Sequence, residues 1–126
     1  MSNNSVFART DGIKISFSIE YVNGSKNVLF KENTDETKDG EMEFVFKYPN
    51  WQDDLFIRDK AMEVQNGSVI LNASLVRYKK FSRLLTNWNL TDEEGNILPM
   101  DDENFAKLDP YVLNIIMDKL DSYILT

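Results

Sequence analysis

Between Ile13 and Tyr21 every second residue is apolar: Ile13, Ile15, Phe17, Ile19 and Tyr21 alternate with Lys14, Ser16, Ser18 and Glu20. A β-strand turns successive side chains to opposite faces, so this pattern sends one set into a core and the other toward water. A helix advances about 100° per residue and would scatter the same apolar set around its circumference. The run therefore has to be a strand. Asn23-Gly24 follows at once and supplies residues that accept positive φ, as a tight hairpin requires. Val28-Leu29-Phe30 is then the natural returning strand. A third alternating run places Met42, Phe44, Phe46 and Tyr48 on one face, with Glu41, Glu43 and Lys47 on the other. Pro49 ends it, having no N–H for a sheet ladder. The intervening Asn33 to Gly40 contains no apolar residue and is expected to be a loop.

Three strands that each carry one apolar face need a cover, and the second half of the chain offers helices for it. Trp51, Leu55 and Met62, with Phe56 beside them, predict a helix near Trp51 to Val64, with Asp53-Asp54 in its first turn. Asn66-Gly67 suits a left-handed cap at its end. A longer helix is expected from Ser68 to about Trp88, with Leu71, Leu75, Tyr78, Phe81, Leu84, Leu85 and Trp88 on its apolar face. Asp101 reads as a cap ahead of Phe105 and Leu108, and Asp109-Pro110 as an N-cap with proline at the first helical position. The last helix carries Leu113, Met117, Leu120 and Ile124, flanked by Val112 and Ile116. Strands first and helices afterwards imply an α+β fold. The expectation is one domain over residues 1–126: an antiparallel sheet of about three strands in 1–50, packed against the helices of 51–126.

The chain offers little to a chemist looking for catalysis. It has neither histidine nor cysteine, which removes the commonest general base, the commonest metal ligand and any thiolate or disulfide chemistry. No apolar run approaches the roughly 20 residues of a membrane helix, and the polar Met1 to Ser5 shows no signal core. The reading is a soluble, intracellular, non-enzymatic protein without cofactor. A formal charge of −7 argues against direct contact with nucleic-acid backbone; its plain role is to keep a small protein soluble, and it is compatible with a basic protein partner or with mimicry of DNA.

Each tempting site has a plainer explanation. Asp92, Glu94, Gly95 and Asp101 resemble parts of a calcium loop, but aligning Gly95 with the loop glycine puts Leu90 where the first acidic ligand belongs. A solvated turn, with no metal, is the expectation. Asp53-Asp54 and Asp101-Asp102 are explained by the preference for acids at helix starts. Arg77, Lys79, Lys80 and Arg83 form the chief basic row, which either neutralises nearby acids or meets a negative partner. For Trp88, burial as a core anchor stands beside a role in partner contact.

Trp88-Asn89-Leu90-Thr91-Asp92-Glu93-Glu94-Gly95 closes an apolar run with tryptophan and an acidic glycine turn; Pro99, Asp102-Glu103-Asn104 and the proline-started helix Pro110 to Ile124 follow. This order resembles the C-terminal part of the tail assembly chaperones and related small tail-gene proteins of long-tailed bacteriophages. Phe46-Lys47-Tyr48-Pro49-Asn50-Trp51 is similar to their strand-to-helix junction. The match spans roughly the last two thirds of the chain. The resemblance implies a virion-assembly protein that binds a tape-measure or tail-tube protein in the host cytoplasm. Trp88, Leu90, Ile116, Leu120 and Ile124 are the candidate contact residues for such a partner or for a second copy of the chain. A structural subunit of the tail or head-tail connector, retained in the virion, is one alternative. An acidic DNA mimic that blocks a host nucleic-acid-binding protein is the other.

Overall fold

The computed structural model describes residues 6–31, 37–38, 40–60, 62–65 and 67–125. Most of the loop expected at Asn33 to Gly40 lies outside these residues, as do Met1 to Ser5 and Asn66. The fold is α+β, with a four-stranded antiparallel sheet backed by helices. Strand β1 (Gly12–Val22) turns back at Asn23 and Gly24, with φ of 52° and 81°, into β2 (Ser25–Phe30). Strand β3 (Met42–Lys47) pairs with the other side of β1, Ile15 opposite Phe44 and Ile13 opposite Phe46. Helix α1 (Trp51–Lys60), strands β4 (Met62–Gln65) and β5 (Ser68–Leu71), and helix α2 (Ala73–Leu84) follow. Strand β6 (Leu85–Trp88), the short helix α3 (Asp102–Phe105) and helix α4 (Pro110–Ile124) complete the chain. The main sheet runs β2-β1-β3-β6, while β4 and β5 form a separate two-stranded sheet.

The alternating runs do what their period requires. Ile13, Ile15 and Phe17 of β1, with Phe44 and Phe46 of β3, are buried against Phe81 and Leu84 of α2 and Val112, Ile116, Met117 and Leu120 of α4. Phe44 is the hub of the aromatic packing, with Phe17, Phe46 and Phe81 edge-on at 5.5–6.2 Å and Trp88 tilted beside it at 6.1 Å. Such pairs add to the simple burial of area. The alternation outlasts the helical cover, for Ile19 is half-buried and Tyr21 lies 68% exposed.

The predicted helices near Trp51 to Val64 and Ser68 to Trp88 are each interrupted by strand. Residues 62–65 pair with 68–71, Met62 opposite Leu71 and Gln65 opposite Ser68, around Gly67 at φ 79°. Gly67 therefore lies between two paired strands where a helix cap was expected after Val64, and both settings favour a glycine at positive φ. Helix α2 starts only at Ala73, where the Asn72 side chain accepts from the Leu75 N–H as N-cap. It stops at Leu84, and Leu85 to Trp88 become the fourth strand, with Trp88 opposite Phe44. Leu84 and Trp88, four apart, satisfy helical spacing as well as an extended edge, so the pattern alone could not separate them.

Helix α1 also shows the opposite face to the one expected. Trp51 is 82% and Leu55 56% exposed, while Asp53 and Ile57 are buried. An electrostatic contact explains the inversion. The Asp53 carboxylate accepts from the Asn50 N–H, from Arg83 Nε at 2.8 Å and from Lys47 Nζ at 3.1 Å. Asn50 Oδ1 accepts from the Asp53 N–H at 2.8 Å, closing a reciprocal capping box at the helix start. The two caps forecast downstream are present: Asp101 accepts from the Asn104 N–H, and Asp109 from the Tyr111 N–H with Pro110 in the first turn.

Candidate functional site

The positions expected to meet a partner are mostly core. Trp88 is 2% exposed, and Ile116 and Leu120 are wholly buried, so none of these three presents a docking surface. Trp88 lies edge-on to Phe105 at 5.4 Å and donates its Nε1–H to the Leu98 carbonyl at 2.7 Å. That bond satisfies the indole and ties the returning chain down over β6. Leu90 and Ile124 are half-buried and pack against the same core. The broad stripe of α4 is real, but its inward part, Val112, Ile116, Met117 and Leu120, faces the sheet.

The remaining part of that stripe opens onto a cleft. Leu113, half-buried, lines a concavity of about 570 Å³ between the N-terminal halves of α2 and α4, with α3 along its side. Phe81, Phe105, Leu108 and Met117 supply the apolar wall; Ala73 and Ala106 are among its exposed lining residues. Clefts that hold ligands commonly measure about 300–1,000 Å³ and combine apolar walls with a few fixed polar groups. Here the polar groups are anchored. Arg77 Nη1 donates to the Asn114 carbonyl at 2.9 Å and its Nη2 to Asp118. Tyr78 donates its hydroxyl to Asp102 Oδ1 at 2.7 Å. That hydrogen bond, with lesser help from burial and the Asp102 charge, pushes the Tyr78 hydroxyl up to about 12, so it stays a donor. Ile116, a candidate contact residue, is enclosed while Leu113 lines the cleft, because α4 turns Val112, Ile116 and Leu120 onto the sheet.

The other candidate clusters have internal partners. In the basic row, Arg77 pairs with Asp118, Lys80 with Asp121 and Arg83 with Asp53. Lys79 lies over the Tyr78 ring at 5.8 Å. The row joins α2 to α4 and α1, as the neutralising reading expected. The acidic turn is a tight hairpin in which Thr91 bridges Ile97 and the Leu98 N–H reaches the Leu90 carbonyl. Asp92 Oδ1 accepts from both the Glu94 and Asn96 N–H groups at 2.9 Å. The carboxylate is thus employed in shaping the turn. Of the adjacent acid pairs, Asp53 points inward while Asp54 meets Arg58 in water, and Asp101 caps α3 while Asp102 holds Tyr78. Among the described residues no helix is long and apolar enough to cross a membrane. No protein family, curated protein or solved structure matches this chain.

Proposed function

We propose that this chain is a non-enzymatic assembly protein of a bacteriophage tail, acting in the host cytoplasm by transient binding of a tape-measure or tail-tube protein. The observation that carries the protein-binding part is the open apolar cleft between α2, α3 and α4, whose polar rim is held rigid by Arg77–Asn114 and Tyr78–Asp102. A preformed apolar socket takes side chains from a partner at small reorganisation cost, and its modest size keeps the contact releasable. The phage assignment is supported by the likeness of Leu84 to Gly95, Pro99, Asp102 to Asn104 and Pro110 to Ile124 to tail assembly chaperones. Of these segments, Pro110, Leu113, Asn114 and Met117 line the cleft, and Asp102 holds the lining residue Tyr78.

The test is co-expression with phage tape-measure and tail-tube proteins, followed by pull-down and by mass spectrometry of purified virions. Capture of one of these proteins, with the chain missing from the finished particle, is the expected result. Stoichiometric retention in the virion would identify a structural subunit. Failure to bind any tail protein would remove the assembly reading.

A further inference from the structure

We infer that the cleft between α2, α3 and α4 receives the apolar side chains of a basic amphipathic helix from a partner protein. The inference rests on the protein-binding reading above and names the partner's chemistry. Two features of the cleft select a helix. Its walls are helices and the turn after α3, where the Ala106 and Leu108 N–H groups are bonded internally, and the starts of α2 and α4 are closed by the Asn72 and Asp109 side chains. An extended peptide would find no sheet edge there and would leave its own N–H and C=O groups unpaired. A helix brings those groups already satisfied and offers only side chains.

Charge selects the sign. From Asn89 to Leu108 the chain holds six carboxylates, Asp92, Glu93, Glu94, Asp101, Asp102 and Glu103, against the single cation Lys107. Ion pairs of the described residues neutralise acids elsewhere in the fold, but none involves these six. Half of this excess lies beside the cleft, on α3 and its cap: Asp102 is bonded to the lining residue Tyr78, Asp101 and Glu103 flank it in the chain, and α3 supplies Phe105 to the wall. Arg77, the cation on the opposite rim, is committed to Asp118 and the Asn114 carbonyl. A helix with leucine-like residues on one face and lysine or arginine beside them complements both the socket and its border.

The probe is a labelled synthetic helix with Leu at i, i+3, i+4 and i+7 and Lys on its polar face, compared with a twin carrying Glu in place of Lys. Fluorescence anisotropy should show the Lys peptide binding at least about tenfold more tightly than the Glu twin, with the gap narrowing as salt screens the charges. Ala106→Trp fills the mouth from an exposed position and should weaken binding by at least about tenfold without changing the thermal melt. Ala73→Phe does the same from the facing wall should Ala106→Trp disturb folding. Glu103→Lys should shift preference toward the Glu twin, and Trp51→Ser, on the outer face of α1, should leave affinity unchanged. Equal binding of the twins, or binding indifferent to both cleft-filling variants or lost in Trp51→Ser, overturns the inference. Those failures leave the assembly reading to its own pull-down. Cleft-dependent binding of the Lys peptide without capture of any tail protein would uphold the inference and remove the phage assignment alone.

Discussion

Asp53 shows how one side chain redirects an element. Its carboxylate is 1% exposed, and burial alone would push its pKa up. The Asn50 N–H, Arg83 and Lys47 outweigh that penalty and hold it below the ordinary carboxylate value of 3.8. A lowered pKa in the folded state stabilises the fold fully above the unfolded value near 3.8, and the contribution disappears as pH falls through the folded value. Asp53→Ala should therefore cost about 1–3 kcal/mol at neutral pH. This is less than for a fully enclosed pair, because Lys47 and Arg83 remain partly in water. Urea denaturation at pH 7 and near pH 3 tests the sign: the difference between wild type and Asp53→Asn should shrink at the lower pH. A constant difference would mean that the charge of Asp53 plays no part. This role was invisible in the sequence, where Asp53-Asp54 at a helix start is explained by the dipole alone. The two cations that select Asp53 come from β3 and from α2, six and thirty residues away.

At the scale of elements, patterns of period two proved more informative than those of period 3.6. Strands β1 and β3 could be read because an alternating set admits one solution. Helix α4 was equally legible in its extent, since Asp109-Pro110 marks its start, yet its rotation was not. A stripe that spans Val112 to Ile124 is compatible with several contact faces, and the choice depends on which residues the sheet can accommodate. Ile116→Ala should cost about 2–5 kcal/mol, as a cavity in a closed core does. Tyr111→Ala, at a side chain 56% exposed on the same helix, should fall within about 0.5 kcal/mol of wild type. Denaturant midpoints of the two variants decide the matter, and a comparable loss in both would contradict the rotation described. Asn23-Gly24 and Asn66-Gly67 carry a further lesson. The first was read as a hairpin because alternating strands flank it, and the second as a cap because its flanks resemble helix; the dipeptide itself specifies only positive φ.

For the molecule as a whole, the two tryptophans report opposite environments, Trp51 82% exposed at the start of α1 and Trp88 2% exposed at the end of β6, against Phe44 and Phe105. Acrylamide should quench about half of the tryptophan emission readily, and Trp51→Phe should leave a blue-shifted emission that resists quenching until the protein unfolds. Two equally accessible tryptophans would refute the packing around Phe44. The sequence by itself determined the strand-rich first half, the hairpin at Asn23-Gly24, the capped final helix and the α+β order, because period, turn chemistry and capping act over a few neighbouring residues. It also carried the acid excess of residues 92–103, although nothing local tied Asp102 to a cleft. Tertiary structure alone decided that Leu85 to Trp88 become a strand, that α1 turns Trp51 and Leu55 outward, and that Leu113 opens onto a cleft while Ile116 is enclosed. Each of these was a choice between local conformations or faces of similar merit. Contacts distant in sequence made it: Phe44 for Trp88, Lys47 and Arg83 for Asp53, and the apolar face of the sheet for Ile116.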